Sequence, residues 1–192
     1  IKRGDIAKTA EMYAKAHFEG DFEADFITLA PYMGLDSIKP YMPFVEEKGK
    51  GVFVLVRTSN PGAKDFEYEK LADGRHVYDM VGDKLNAMGK SCMGEHGYSS
   101  LGLVIGGTHI EEAAEIRARY KDSFFLIPGY GAQGGTAEDI AQYLSAGNGG
   151  VVNSSRGILL AYKKQPGVEF AQAAYNECVN MKEAIKNACD RL

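Results

Sequence analysis

Short runs of apolar and β-branched residues recur along the chain, and segments with helical spacing of apolar residues lie between them. The runs that predict buried strands are Phe26–Leu29, Val52–Val56, Leu101–Ile105, Phe124–Ile127 and Gly150–Val152. Residues 76–88 and 110–116 have the spacing of amphipathic helices. Because continuous apolar strands that alternate with helices are typical of parallel sheets covered on both faces, the pattern predicts an α/β fold, either a doubly wound sheet or a barrel.

The number of strands bears on the choice between these two folds. If a strand ends within Ile1–Ile6, the chain of 192 residues contains six strands. The absence of turn signals in residues 168–192 predicts a long terminal helix. A closed (β/α)8 barrel has eight strands and typically about 250 residues. As a barrel, residues 1–192 would therefore be one domain that holds the C-terminal six strands. We then expect two further βα units, about 60 residues, before Ile1.

Charge and cysteine content indicate what the chain binds. The sequence has 22 basic and 26 acidic residues, a net charge of -4, so nothing favours nucleic acid or an anionic membrane as a partner. Three cysteines without metal-ligand spacing fit reduced thiols in the cytoplasm. The four histidines share no metal-ligand spacing, and the motifs of serine hydrolases, P-loop NTPases and zinc proteases do not occur. These features predict a cytoplasmic protein with a small-molecule partner.

The segment PGYGAQGG, Pro128–Gly135, follows a predicted strand and precedes a helix that begins with the capping-box spacing Thr136-x-x-Asp139. Its glycines would let backbone N–H groups approach an anion at the helix N-terminus. A tight turn without a ligand is one alternative. Another is an NADP-binding loop, because the segment also satisfies G-x-G-x-x-G and the next strand ends in NSSR. Such a fingerprint normally opens its domain, whereas this one lies near the C-terminus.

Two sets of charged residues follow predicted strands. Arg156 comes after the last strand, where the loops of (β/α)8 barrels commonly bind phosphate, and a guanidinium suits a phosphate dianion. Its alternative is a surface arginine paired with a carboxylate. Lys2 and Asp5 are a candidate proton donor and its charged neighbour, or alternatively a solvated ion pair.

Taken in chain order, five segments resemble the strand-end motifs of orotidine 5'-monophosphate decarboxylases, in the divergent bacterial branch with the KRGDI motif. They are IKRGDIAKT, VFVLVRTSNPGA, LGLVIGGT, FLIPGYGAQGG and VVNSSRGI. The resemblance covers essentially the whole chain. It implies a (β/α)8 TIM barrel that here lacks roughly its first two βα units. It also implies a carbon–carbon lyase that converts orotidine 5'-monophosphate to uridine 5'-monophosphate in de novo pyrimidine synthesis, with no metal and no cofactor.

The family's D-x-K-x-x-D-I-x-x-T motif assigns roles to the start of the chain. Lys2, Asp5, Ile6 and Thr9 match the motif, whose first Asp would lie immediately before Ile1. The resemblance implies that Lys2 donates the proton that replaces the departing carboxylate at C6 of the pyrimidine. It implies that Asp5, with Ile6 and Thr9, reaches into the active site of the partner subunit of a homodimer with shared active sites.

The resemblance also implies a set of substrate-binding residues: Ile6, Thr9, Ser59, Pro128, Tyr130, Gln133, Ser155 and Arg156. Ser59 would bind the amide edge of the pyrimidine, and Gln133 would bridge the base and the phosphate. Arg156 would bind the phosphate together with a backbone N–H of Ser155 or Gly157. Many relatives have glycine where this chain has Ser155, so the choice between these two N–H groups stays open.

Three alternatives remain at this point. One is another phosphate-binding barrel enzyme, such as a sugar-phosphate decarboxylase or epimerase, which a metal requirement would favour. The second is a truncated, non-catalytic homologue that acts as a binding or regulatory subunit. The third is an NADP-dependent oxidoreductase. Since the first motif Asp and two ribose-binding residues of the family would precede Ile1, we expect the 192-residue chain alone to be inactive.

Overall fold

The structure is a computed structural model that describes residues 4–108, 110–131, 133–145 and 147–192. Its strands are β1 (Phe26–Leu29), β2 (Gly51–Arg57), β3 (Ser99–Ile105), β4 (Ser123–Pro128) and β5 (Gly150–Asn153). Its α-helices are α1 (Ala7–Phe18), α2 (Met42–Glu47), α3 (Val77–Met88), α4 (Ile110–Arg119), α5 (Ala137–Ala141), α6 (Ser155–Leu159) and α7 (Phe170–Cys189). The five apolar runs predicted to be strands are confirmed.

The chain forms two compact units. The N-terminal unit comprises the residues up to Ile105 together with Asp122–Phe125, and the C-terminal unit comprises Gly106–Lys121 and Leu126–Leu192. In the N-terminal unit the strands lie in the order β1, β2, β3 and the first half of β4, and β2 pairs in parallel with both β1 and β3. The C-terminal unit holds the second half of β4 together with β5. Parallel strands joined through helices confirm the predicted α/β fold.

The core of the N-terminal unit is built on β2 and β3, whose apolar side chains are nearly all buried. Gly102 allows a close approach here, because a Cβ at this position would lie 2.6 Å from the Phe124 carbonyl oxygen and 2.6 Å from the Phe53 ring. The Phe53 ring packs against Phe26 at a centroid distance of 5.1 Å. At the start of this unit Gly4–Ile6 form a turn that leads into α1, and Ile1–Arg3 lie outside the described residues.

Two helix starts of the C-terminal unit have capping-box spacing in the sequence, Thr108-x-x-Glu111 and Thr136-x-x-Asp139, and each spacing predicts a cap. At Thr136 the box is confirmed, because the Asp139 N–H donates to Oγ1 of Thr136 at 3.1 Å and the Thr136 N–H donates to the Asp139 carboxylate at 2.8 Å. The box predicted for Thr108-x-x-Glu111 is wrong: Oγ1 of Thr108 is buried and has no hydrogen-bond partner within the described residues. A threonine before a helix therefore caps it only where the preceding loop turns the hydroxyl towards the free N–H groups.

The chain ends in the long helix α7, which begins at Phe170 and ends at Cys189. The Glu169 carboxylate caps it by accepting from the N–H groups of Ala171 at 2.8 Å and Gln172 at 3.2 Å. Among the helices in the described ranges, none combines the length and the apolar content that crossing a bilayer requires.

Candidate active site

A small cavity in the C-terminal unit lies where β4 and β5 end. Its volume is about 80 Å³, and it is lined by Pro128, Gly129, Tyr130, Gln133, Asn153, Ser154, Ser155 and Arg156. The structure thus brings together five residues that the sequence assigned to substrate binding: Pro128, Tyr130, Gln133, Ser155 and Arg156. Pockets that enclose a whole small-molecule ligand measure roughly 300–1,000 Å³, so this cavity suits one small group of a ligand.

The loop that follows β4 needs its glycines for its backbone conformation. Gly129, Gly131 and Gly134 have φ angles of 115°, 71° and 98°, in the region that favours glycine. Gly135 is required for a second reason, because a Cβ there would lie 2.9 Å from the carbonyl oxygens of both Gly107 and Gly129. The glycines therefore fix the course of the chain beside the cavity.

Three N–H groups of this loop bond to the loop itself. Gly131 donates to the Gly135 carbonyl at 2.8 Å, Gly134 donates to the Gly131 carbonyl at 2.8 Å, and Gly135 donates to the Gly129 carbonyl at 3.1 Å. The prediction that the glycine N–H groups receive an anion is therefore wrong for these three. The loop shapes the cavity, and the positive charge beside it comes from the segment after β5.

That segment holds Arg156 beside a buried serine. The Ser154 hydroxyl donates to the Tyr130 carbonyl at 3.3 Å and so joins the two loops. The helix that follows requires glycine at position 157, because a Cβ on Gly157 would lie 2.4 Å from the Ser154 hydroxyl oxygen. Ser155 and Arg156 are exposed, and the Ser155 hydroxyl donates to the Asn153 side chain at 3.2 Å. Arg156 forms no ion pair with a carboxylate in the described part of the chain. The alternative of a paired surface arginine therefore has no support.

Tyr130 lies between this cavity and a larger one of about 590 Å³, which Glu138, Glu177 and Arg191 also line. Burial raises the pKa of Tyr130 above its ordinary value, and the nearby carboxylates of Glu177 and Glu138 raise it further. The phenol therefore stays protonated and neutral at physiological pH, as a hydrogen-bond donor.

The predicted site residues of the N-terminal unit are spread over two elements. Asp5 and Ile6 are exposed in the turn before α1, and Thr9 is half-buried in the first turn of that helix. Ser59 is half-buried just after β2. Lys2 lies outside the described residues.

A large cavity of about 740 Å³ lies in the same unit, between the segments that follow β1 and β2 and helix α3. Ser59 is not among its lining residues, but its neighbours Thr58 and Asn60 are. The Glu67 carboxylate accepts from the Thr58 N–H at 2.8 Å and from its hydroxyl at 2.7 Å, which fixes the chain next to Ser59. Sequence reasoning missed Glu67, because it lies in an irregular insert whose charged residues follow no pattern.

No group of three or more histidine, cysteine, aspartate or glutamate side chains within the described residues is arranged to hold a metal ion. The three cysteines are free thiols. Both findings describe the mapped part of the chain alone.

Comparison with known proteins identifies the relatives of this chain. A sequence profile of the orotidine 5'-phosphate decarboxylase / HUMPS family matches residues 1–170. The orotidine 5'-phosphate decarboxylase of Clostridium perfringens strain SM101 is 64% identical over 189 residues, which are 98% of this chain and 66% of that protein. The enzyme of the same name from Clostridium acetobutylicum strain ATCC 824 is 62% identical over 97% of this chain and 66% of its own length.

Solved structures support the same relationship. The structure of Leishmania donovani OMP decarboxylase is 33% identical to this chain and has a TM-score of 0.74, over 97% of this chain and 66% of that one. This likeness confirms the predicted barrel fold class. The chain spans about two thirds of the length of the relatives it matches.

Proposed function

Because this chain belongs to the orotidine 5'-phosphate decarboxylase / HUMPS family, we propose that the complete protein converts orotidine 5'-monophosphate to uridine 5'-monophosphate in pyrimidine synthesis. The observation that carries the proposal is the small cavity of the C-terminal unit. Five residues that the family motifs assign to substrate binding line it, although they come from two separate segments of the chain. A tight turn without a ligand would not explain this meeting of assigned residues.

In this proposal the C-terminal unit binds the phosphate. Arg156 lines the cavity without a carboxylate partner in the described ranges, so its guanidinium can form charge-assisted hydrogen bonds to a dianion. A backbone N–H of Ser155 or Gly157 adds to this contact, and Gln133 bridges the phosphate and the base. Pro128 and Tyr130 belong to the loop that encloses the phosphate. Since the phosphate is remote from the reacting carbon, its binding energy can serve to hold the substrate in place and to exclude water.

The chemical step is assigned to the start of the chain. When the bond between C6 and the carboxylate breaks, carbon dioxide leaves and the electron pair remains at C6. A fixed ammonium group stabilises that charge, and Lys2 then transfers a proton to C6. Asp5 lies beside Lys2 in the motif, and Ser59 binds the amide edge of the pyrimidine. We propose that the reaction needs neither a metal ion nor a cofactor.

We further propose that the active sites are shared within a homodimer. Ile6 is 46% exposed next to Asp5, and Gly4 shares a small cavity with Ala30 and Met33 in the segment that also carries Tyr32. Tyr32 is 86% exposed and packs against Phe66, itself 66% exposed, at a ring centroid distance of 6.2 Å. Exposed apolar groups that cluster in this way are typical of interaction surfaces. A second copy would cover them and receive Asp5, Ile6 and Thr9.

The three free thiols fit a cytoplasmic location.

Mixing inactive variants tests the shared site. Complete Lys2→Ala and Asp5→Ala proteins are each expected to be inactive, whereas a mixture should regain part of the activity, because one site of each hybrid dimer carries neither change. The control is exchange of subunits between differently tagged copies. Exchange without any recovery of activity would contradict the shared site.

The reaction itself is tested by release of labelled carbon dioxide from carboxyl-labelled orotidine 5'-monophosphate, with the complete protein before and after exhaustive chelation. We expect equal release in both samples. Loss of activity on chelation that a divalent metal restores would favour a metal-dependent barrel enzyme. Thermal stabilisation by NADPH but not by uridine 5'-monophosphate would favour an oxidoreductase.

A further inference from the structure

The phenol of Tyr41 is buried without a hydrogen-bond partner. Tyr41 lies after β1, is 1% exposed, and its hydroxyl bonds to no protein group in the described residues. Burial raises the pKa of Tyr41 to about 12, and the neighbouring Tyr13 phenol adds to the shift. The hydroxyl is therefore a neutral donor at physiological pH. Because native proteins satisfy most buried polar groups, a hydroxyl in this position indicates a bonding partner outside the described residues.

The space next to Tyr41 suits water. Tyr41, Ser37, Thr28 and Gly4 line a cavity of about 40 Å³. A cavity needs roughly 10–15 Å³ to hold one water molecule, which then makes two to four hydrogen bonds. The buried Ser37 hydroxyl donates to the Gly34 carbonyl at 2.7 Å, so its lone pairs remain able to accept. Thr28 and Gly4 also line the cavity, and they carry a hydroxyl and backbone polar groups.

We propose that ordered water in this cavity accepts a hydrogen bond from Tyr41 and joins it to the turn at Gly4. Gly4 lies between Lys2 and Asp5 in the sequence, and Asp5 belongs to the same turn as Gly4. Tyr41 is then a positioning residue for the segment that carries the proton donor. This inference rests on the proposed function for the roles of Lys2 and Asp5, but the water site itself does not depend on them.

The stability of Tyr41→Phe decides whether the hydroxyl has a partner. Removal of a hydroxyl that bonds to water takes away a hydrogen bond and leaves the water with an unpaired group, so the unfolding midpoint should fall. Removal of a hydroxyl that lacks any partner should raise the midpoint, because an uncompensated buried group is lost. Tyr13→Phe is the matched control, since it removes the neighbouring phenol from outside the cavity wall, and it should change the midpoint little. A midpoint for Tyr41→Phe equal to or above that of the unchanged protein would overturn the proposal.

Kinetics and crystallography of the complete protein test the positioning role. We expect kcat of Tyr41→Phe to fall about two- to tenfold, the effect of one net hydrogen bond, while KM stays within about twofold. A crystal structure should show water within about 3 Å of the Tyr41 hydroxyl oxygen. Unchanged kcat with the water present would overturn the positioning role, and no ordered water would overturn the site. If the unchanged protein released no carbon dioxide, the proposed function would be wrong. The unfolding midpoint of Tyr41→Phe and the crystal structure would still test the water site.

Discussion

The two compact units hold their predicted site residues in different ways. In the C-terminal unit, a glycine loop and the segment after β5 meet at one small cavity, and five predicted residues line it. In the N-terminal unit, Asp5, Ile6 and Thr9 lie at the start of a helix, and Ser59 follows a strand. A binding site for one small group can thus be complete within a single unit. The proposed division of work follows: changes in the C-terminal unit should act mainly on KM, and those in the N-terminal unit on kcat.

The largest effect is expected for Lys2→Ala in the complete protein. The change removes both the proton donor and the cation next to C6, and each such contribution is typically worth about a hundredfold or more. We expect kcat to fall by at least about 10⁴-fold. Thermal stabilisation by uridine 5'-monophosphate should persist as the control, because the phosphate contacts remain. A fall of less than about tenfold would show that Lys2 is not the proton donor.

Arg156→Ala should have the next largest effect, and on KM. One charge-assisted hydrogen bond contributes roughly 1.5–3 kcal/mol, so the loss of the guanidinium should weaken substrate capture by about tenfold to several hundredfold. Arg156→Lys is the matched control, because it keeps the positive charge but loses the planar guanidinium. Its KM should lie between that of the unchanged protein and that of Arg156→Ala. If kcat alone decreased for both variants, with KM unchanged, the phosphate assignment would be wrong.

Two glycines with nearly equal, positive φ angles distinguish backbone strain from an effect on substrate binding. Gly134 has a φ of 98° and Gly20 a φ of 99°, and a Cβ at either position would meet no atom within 4 Å. Alanine at either should cost about 1–2 kcal/mol of unfolding free energy. Only Gly134→Ala should also raise KM, by several-fold, since Gly134 belongs to the loop beside the cavity. Equal KM values for Gly134→Ala and Gly20→Ala would show that the loop after β4 does not contribute to phosphate binding.

The smallest expected effect is on stability at high pH, and it comes from the buried phenol of Tyr41 in the N-terminal unit. The pKa of Tyr41 is about 12 in the folded state and about 10 in the unfolded chain, so the unfolded state loses its proton first. The resulting contribution to stability is complete below about pH 10 and is lost as the pH rises towards about 12. Denaturant unfolding of the unchanged protein and of Tyr41→Phe is measured from pH 8 to pH 12. The difference between their unfolding free energies should shrink by roughly 1–2 kcal/mol over this range. A constant difference would contradict a buried, neutral phenol.

The sequence was sufficient for the strands and for the residues of the small cavity. Runs such as Val52–Val56 are apolar on both faces of the strand, which is the condition for burial in a parallel sheet. The carboxyl ends of neighbouring parallel strands lie close together, so residues after β4 and β5 could be expected to meet. The roles of these residues came from the resemblance of the motifs, in their order along the chain, to those of a known family.

The sequence was not sufficient where loop geometry decides the partners. Gly131, Gly134 and Gly135 have the composition of an anion-binding loop, yet their N–H groups bond to carbonyls of the same loop. Thr108 has the spacing of a cap, but its hydroxyl has no partner in the described residues. Tyr41 lies in a short segment with no periodic pattern, so its burial could not be anticipated. In each case the direction of a single polar group depends on backbone angles that residue type alone does not determine.

The most direct test of the division between the two units compares two substrates. The values of kcat/KM are measured for the complete protein and for Arg156→Ala, on orotidine 5'-monophosphate and on orotidine, which lacks the phosphate. We expect a loss of about tenfold to several hundredfold on the nucleotide and almost equal, low values on orotidine, because the removed guanidinium has nothing to bind there. An equally large loss on both substrates would contradict phosphate binding by Arg156 and would show that Arg156 is structural.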